Sequence, residues 1–77
     1  MSRTVADLAL GEVGVLADFD VPGGTAGRLM EHGFLPGARV RAVRAAPGGD
    51  PKVFRVDGMD VALRLETARR IRLEEQP

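Results

Sequence analysis

The sequence contains no cysteine, tryptophan or tyrosine, and three phenylalanines are its only aromatic residues in a chain of 77. Without cysteine the chain can form neither a disulfide nor a thiolate metal site, so its stability has to come from packing. A chain of this length forms one domain and buries only about 60% of its unfolded surface. We therefore expect a single compact domain, with a core at about residues 6–73 built mainly from aliphatic side chains and a polar tail at residues 74–77.

A net charge is also missing, because eleven basic and eleven acidic residues cancel. The charges are unevenly distributed: residues 39–72 carry nine bases and four acids, whereas residues 1–38 carry two bases and five acids. This polarity suits a charged protein partner, although a solvated surface of mixed sign is the plainer interpretation of any single residue.

Long apolar runs are absent from the N-terminal region as well. Asp7, Glu12 and Asp18 interrupt it, so it lacks the continuous apolar stretch of a signal peptide or a membrane span. We expect a cytoplasmic protein that does not insert into a membrane.

What the chain does contain is a rhythm of short apolar segments between frequent turn signals, which is typical of a small all-β domain. A first strand is predicted at about residues 12–19. Its expected faces are Val13, Val15, Ala17 and the core residue Phe19 on one side, and Leu16 and Asp18 on the other.

Residues 28–40, RLMEHGFLPGARV, predict a short helix followed by a tight turn and a strand. We expect Thr25 to cap a helix that begins at Ala26 and ends at Gly33, with Phe34 packing against Leu29 in a Schellman motif. The next four residues, LPGA, suit a β-turn with proline second and glycine third.

The remaining segments complete a five-stranded pattern. Strands are predicted at residues 38–46 with a bulge near Val43, at 52–56, at 59–63 and at 71–73. Asp57-Gly58 is a strong hairpin signal between the third and fourth strands, and one helical turn is expected around residues 66–69. The predicted fold is mainly β: a small SH3-like barrel of about five strands with one short inserted α-helix.

Catalytic chemistry is not indicated by the residues available. The hydroxyl side chains are Ser2, Thr4, Thr25 and Thr67, and none lies beside a base in a recognisable arrangement. We expect no catalytic residues and no enzyme activity.

Metal and cofactor binding are not indicated either. His32 is the only histidine, and a lone histidine at a helix end rarely makes a metal site. Asp18 and Asp20 lack the rest of a calcium-loop pattern, and the glycine-rich strings PGGTAGR and APGGDP match neither a P-loop nor a dinucleotide fingerprint. We expect no metal site and no cofactor.

Nucleic-acid binding is a weaker alternative. The second half of the chain is rich in arginine, but barrels that bind RNA commonly stack bases on exposed aromatic side chains. The three phenylalanines are needed inside, so we do not expect a nucleic-acid partner.

The chain resembles the FeoA family, small cytoplasmic SH3-like proteins of bacterial ferrous iron transport. The resemblance runs from residue 6 to about residue 73, through LALGEVGVL, RLMEHGFLPGARV, APGGDP and VDGMDVALRLETARRIRL. One position departs from the family's pattern, because His32 stands where a large apolar residue is usual.

The resemblance implies a non-enzymatic accessory protein that binds and modulates the permease FeoB, through its cytosolic GTP-binding domain or its membrane-embedded part. Strand edges at the barrel rim leave weak self-association open. We expect the contact face to lie on the helix and its exit: Arg28, Met30, His32, Phe34 and Leu35, flanked by Arg39 and Arg64.

Two other functions stay open at this point. The same kind of module occurs at the C-terminus of iron-dependent repressors resembling the diphtheria toxin repressor, but this chain has no winged-helix segment. A small RNA-binding barrel is the other alternative, and salt-sensitive retention on RNA would reveal it.

Overall fold

A computed structural model describes residues 3–75 of the chain, so Ser2 and the last two residues of the expected tail lie outside the described part. Within that part the elements are β1 (Val13–Phe19), α1 (Gly23–Glu31), β2 (Arg39–Ala45), β3 (Lys52–Val56), β4 (Met59–Leu63), α2 (Leu65–Ala68) and β5 (Ile71–Leu73). Short 3-10 turns occupy Val5–Asp7 and Pro47–Gly49. The predicted mainly β fold, with its short helix inserted after the first strand, is confirmed.

The five strands form one antiparallel sheet in the order β4-β3-β2-β1-β5. β1 divides its pairing between two neighbours: its first half, Val13–Val15, pairs with β2, and its second half, from Leu16 to Phe19, pairs with β5. One strand shared in this way bends the sheet round on itself, as barrel folds require.

Two bulges shape the strands, and the sequence pattern predicted one of them. The pairing of β2 with β3 shifts between Ala42 and Arg44, which confirms the bulge expected near Val43. A second shift occurs in β1, between Leu16 and Asp18, where it pairs with β5.

The expected faces of β1 were wrong because of that second bulge. Gly14 and Leu16 are buried, whereas Val13 is exposed, so the first half of β1 turns the opposite face inward. A Cβ at Gly14 would lie 2.8 Å from the Leu73 side chain, so any larger residue here would require that side chain to shift. After the bulge, Phe19 again packs against the core.

The core is aliphatic with two central phenylalanines, Phe34 and Phe54, which are fully buried. No buried polar or charged side chain occurs in residues 3–75. The buried side chains are those of Val5, Leu8, Leu16, Leu29, Phe34, Val40, Ala42, Phe54, Val56, Leu63, Ala68, Ile71 and Leu73.

The predicted end of α1 is confirmed in detail. His32 is the C-cap, and Gly33 follows with a φ of 97°. The N–H of Phe34 donates to the carbonyl of Leu29 at 2.9 Å, and the N–H of Gly33 donates to the carbonyl of Met30 at 3.0 Å. These two bonds are the pair that defines a Schellman motif.

The predicted start of α1 was wrong. The helix begins at Gly23 with Pro22 at the N-cap, and no side chain caps it. The N–H of Ala26 donates to the carbonyl of Pro22 at 2.9 Å, which makes Thr25 a residue of the first turn. Proline has a fixed φ suited to the entry of a helix, so the chain can enter the helix without a side-chain cap.

Both predicted tight turns are present. In residues 35–38 the N–H of Ala38 donates to the carbonyl of Leu35 at 2.9 Å, and Gly37 has a φ of 89°, as a type II turn requires. Asp57 and Gly58 have φ values of 51° and 77°, which match the type I′ turn of a two-residue hairpin.

Neither helix in residues 3–75 has the length and apolar character needed to cross a bilayer.

Candidate partner-binding site

Three of the seven predicted contact residues meet at one cleft between α1 and β4. Arg28 and His32 line it from the helix, and Arg64 lines it from the end of β4. This α1–β4 cleft has a volume of about 290 Å³, and its complete lining is Thr25, Arg28, Leu29, His32, Val61, Ala62, Leu63, Arg64 and Thr67. The fold thus brings together basic side chains that are more than thirty positions apart in sequence.

Two others, Leu35 and Arg39, lie at a second cleft on the exit side of the helix. This exit cleft has a volume of about 450 Å³ and is lined by Gly33, Leu35, Pro36, Ala38, Arg39, Val56 and Asp57. The Leu35 side chain is 47% exposed although it is large and apolar. The Schellman motif and the type II turn hold the backbone on both sides of Leu35, so it is presented in a fixed position.

Met30 lies on α1 outside both clefts and is 46% exposed. His32, at the C-cap, is also exposed. That exposure is compatible with a polar side chain at this position.

Phe34 is the exception among the seven, because its side chain is 0% exposed. As the residue after Gly33 in the Schellman motif it turns inward onto the helix end, and it is one of the largest fully buried side chains of the described chain. We therefore remove Phe34 from the contact face and assign it to the core.

The sequence interpretation missed a third cleft, between the start of α1 and α2. It has a volume of about 660 Å³ and is lined by Val21, Pro22, Thr25, Glu66, Thr67, Arg69 and Arg70. Thr25 and Thr67 line both this cleft and the α1–β4 cleft, so the two are neighbours. The adjacent Arg69-Arg70 pair was the available sequence signal, but nothing in sequence spacing places it beside α1.

Three arginines of the sheet, Arg44, Arg55 and Arg72, are paired with acidic side chains. Arg55 donates to Asp60 at 2.7 Å and Arg44 donates to the same carboxylate at 3.3 Å. The hydrogen bond from Arg55 is the main reason that the pKa of Asp60 lies below its ordinary value. On β5, Arg72 donates to Asp18 at 2.6 Å, and this hydrogen bond raises the pKa of Arg72.

The cations around the clefts are different. Within residues 3–75, Arg28, Arg39, Arg69 and Arg70 take part in none of the ion pairs formed. Arg64 approaches Asp50 only to 3.9 Å, and both side chains are well exposed. Apart from Arg41 on β2, the arginines of the described chain that form no ion pair therefore lie beside α1 and at its exit.

The described residues offer no assembly of metal ligands. In residues 3–75 no group of three or more His, Asp or Glu side chains lies close enough together to hold a metal ion. The paired aspartates considered in the sequence do not change this, because Asp18 is bonded to Arg72.

A five-stranded antiparallel sheet that bends round on itself, with an inserted helix, exposed apolar side chains and unpaired arginines, defines a small SH3-like domain. The family model for the FeoA domain matches residues 3–75. The chain therefore belongs to the FeoA family, and the resemblance seen in the sequence is confirmed.

Solved structures of similar sequence show the same fold. The FeoA protein from Chlorobium tepidum is 27% identical with a TM-score of 0.88, over 92% of this chain and 68% of that one. The FeoA of Stenotrophomonas maltophilia, complexed with zinc and described as a procaryotic SH3 domain protein, is 33% identical with a TM-score of 0.79, over 94% of this chain and 89% of that one. No curated protein compared by sequence matches the chain.

A manganese-dependent transcriptional repressor has the same fold in part of its chain. It is 16% identical with a TM-score of 0.80, and the match covers 94% of this chain but only 40% of the repressor. At that identity the likeness concerns the fold alone. Family membership itself identifies the chain as a FeoA-type accessory protein of ferrous iron transport.

Proposed function

We propose that this protein is a non-enzymatic cytoplasmic accessory factor that binds the ferrous iron permease FeoB and modulates it through protein–protein contacts. Membership of the FeoA family supports the pathway, as does the description of the Stenotrophomonas protein as a candidate activating factor of ferrous iron transport. The contact face in this proposal consists of Arg28, Met30, His32, Leu35, Arg39 and Arg64.

The observation that carries the proposal is the pairing of exposed apolar side chains with unpaired arginines at a rigid helix exit. Met30 and Leu35 are each close to half exposed, and Arg28 and Arg39 lie beside them in sequence without an ionic partner in the described chain. Methionine and arginine are enriched in the buried centres of protein interfaces. Because the backbone is already held by the Schellman motif and the turn, binding loses little conformational entropy there.

Modulation by such a domain requires no reaction of its own. A binding partner shifts a conformational equilibrium only by the difference between its affinities for the two states. We therefore expect the contact face to recognise one nucleotide-dependent or transport-dependent state of FeoB more tightly than another.

The direct experiment is an amide NMR titration of the labelled protein with the purified cytosolic domain of the permease, repeated in each nucleotide state. The expected result is a cluster of shifts at residues 28–39 and at Arg64. If no amide shifts in any state, the cytosolic domain is not the target, and the same titration with detergent-solubilised full-length permease tests the membrane-embedded part. Failure of both would overturn the proposal.

Base stacking on an RNA partner finds little support in the structure. Phe34 and Phe54 are fully buried and Phe19 is partly buried against the core, so no phenylalanine of the described chain is fully exposed for stacking.

A further inference from the structure

The two end strands of the sheet, β5 and β4, differ in what lies beside them. Outside β5 lies the N-terminal segment: the N–H of Leu73 donates to the carbonyl of Arg3 at 2.9 Å, and Thr4 forms a bridge with Arg72. At the other end of the strand order, no strand or bridge of residues 3–75 pairs with the outer side of β4. β4 is therefore an open edge of the sheet.

The hairpin register shows which backbone groups of β4 point away from the sheet. In a two-residue hairpin the pair that closes the turn exchanges both hydrogen bonds, and such pairs then alternate with unbonded ones. Here Val56 and Met59 close the turn, so Met59, Val61 and Leu63 bond to β3. The backbone groups of Asp60 and Ala62, between them, point outward.

The space beside this edge is the α1–β4 cleft. Four consecutive residues, 61–64, form one wall, and α1 forms the other with Leu29 in its apolar lining. Arg28 and Arg64 supply positive charge, and no acidic residue lines the cleft. Asp60, the acid of β4, is already held by Arg55 and Arg44. The cleft thus combines unpaired strand hydrogen-bonding groups with an unbalanced positive charge.

We propose that the open edge of β4 takes up an extended acidic segment of the permease as a sixth strand, with carboxylates reaching Arg28 and Arg64. Strand addition to a sheet edge supplies affinity through main-chain hydrogen bonds and specificity through the side chains beside it. A second copy of β4 fits this cleft less well, because its own Asp60 carboxylate is already paired. The inference rests on the proposed function for the identity of the partner, but the chemistry of the edge can be tested separately.

The first test uses Ala62, whose N–H points outward and whose side chain is exposed. Ala62→Pro removes that N–H without removing a bond to β3, and proline is tolerated on the solvent side of edge strands. Ala62→Thr keeps the N–H and serves as the matched control. Ala62→Pro is expected to weaken binding of the permease at least about tenfold, which corresponds to about 1.4 kcal/mol, whereas Ala62→Thr stays within about twofold.

The second test covers the case in which Ala62→Pro does not fold. Arg28→Glu reverses a charge of the cleft, and Arg41→Glu makes the same change at an exposed position of β2 that lines none of the three clefts. We expect Arg28→Glu to weaken binding about tenfold or more and Arg41→Glu to have a smaller, salt-screened effect. Wild-type binding by a folded Ala62→Pro, or by Arg28→Glu where Ala62→Pro does not fold, would overturn the inference and leave the proposed function standing.

The third test does not depend on the permease. A capped peptide of alternating glutamate and valine is titrated into the labelled protein, with an alternating lysine and valine peptide as the control. We expect the glutamate peptide alone to shift the amides of Asp60, Ala62 and Arg64, and these shifts to weaken as salt is added. The absence of such shifts at millimolar peptide would overturn the inference. The inference would also be overturned if the protein alone dimerised and Ala62→Pro abolished the dimer, because the occupant of the edge would then be a second copy.

Discussion

Glycines on α1 and at its exit have opposite structural roles, and exchanging each for alanine separates them. Gly33 has a φ of 97°, and a Cβ there would lie 3.3 Å from the Cβ of Asp57. Gly27 lies within α1, and a Cβ there would meet nothing within 4 Å. We expect Gly33→Ala to cost about 1–2 kcal/mol and Gly27→Ala to stabilise the protein by about 0.5–1 kcal/mol.

Thermal unfolding measures both changes, since about 1 kcal/mol shifts the midpoint by about 4–8 °C in a domain of this size. The midpoint is expected to fall for Gly33→Ala and to rise for Gly27→Ala. A midpoint that is unchanged in Gly33→Ala would mean that the Schellman motif is not required to end the helix.

The ionisation of Glu12, which lies near the N-terminal 3-10 turn, makes the stability of the fold depend on pH. Hydrogen bonds from the Arg3 side chain and from the N–H of Ala9 lower the pKa of Glu12 to about 2. The unfolded chain takes up this proton near the ordinary pKa of about 4.3. The contribution of Glu12 to stability is therefore complete above that value and is lost as the pH falls towards 2.

We expect the unfolding midpoint of Glu12→Gln to fall less than that of the wild type between about pH 4.3 and pH 2. Part of the slope should remain, because Asp60 also has a lowered pKa. Arg3→Gln is the matched variant: a carboxyl-carbon NMR titration should show the pKa of Glu12 moving back towards its ordinary value. Identical pH profiles for wild type and Glu12→Gln would contradict this account.

Residue patterns could predict burial only where no bulge intervened. In β2 the alternation of arginines with Val40 and Ala42 was unambiguous, and both apolar residues are buried. In β1 both faces carry apolar residues, so the pattern alone did not distinguish them, and the shift between Leu16 and Asp18 reverses the inward face. Pairing with β5, which is distant in sequence, decided the outcome.

At the scale of elements, the end of α1 was predictable and its start was not. Gly33 and Phe34 carry a local signal, because a left-handed residue followed by an apolar contact is a specific way to end a helix. Thr25 carried an equally local signal for a helix start, but the chain enters the helix at Pro22, three residues earlier. Residues 23–25 therefore belong to the first turn.

The helix face makes a prediction of its own. Met30→Asp places a charge at an exposed position of α1, so the fold should survive while binding of the permease weakens about tenfold or more. Leu10→Asp is the matched control, because Leu10 is 59% exposed and lines none of the three clefts. Affinity is measured by calorimetry on folded variants. Full binding by Met30→Asp would remove this helix face from the contact surface, while open-edge binding at β4 would still be tested by Ala62→Pro.

At the scale of the whole molecule, the site depends on contacts that no local pattern contains. The resemblance placed the contact face on α1. Arg28, Arg64 and Arg69 line adjoining clefts because β4 and α2 lie next to the helix in the fold. The charge imbalance in the second half of the chain was visible in sequence. Only the fold shows that Arg44, Arg55 and Arg72 of the sheet are paired with acids, while Arg28, Arg39, Arg69 and Arg70 beside the clefts are not.

Phe34 provides the last prediction, because it was expected at the contact face and lies in the core. A domain of this length has a total stability of roughly 4–12 kcal/mol, and Phe34→Ala should cost about 3–5 kcal/mol by leaving a cavity. We expect Phe34→Ala to be largely or partly unfolded. Phe34→Leu keeps most of the apolar volume and should remain folded, with a lower unfolding midpoint.

Partner binding by Phe34→Leu then separates the two roles of this residue. If Phe34 acts only through packing, the folded variant binds the permease with an affinity close to that of the wild type, because Met30, Leu35 and the arginines remain in place. If binding is lost while the amide spectrum of α1 is unchanged, the side chain must leave the core on binding. The helix exit would then have to open, and a rigid contact face would be the wrong description of this domain.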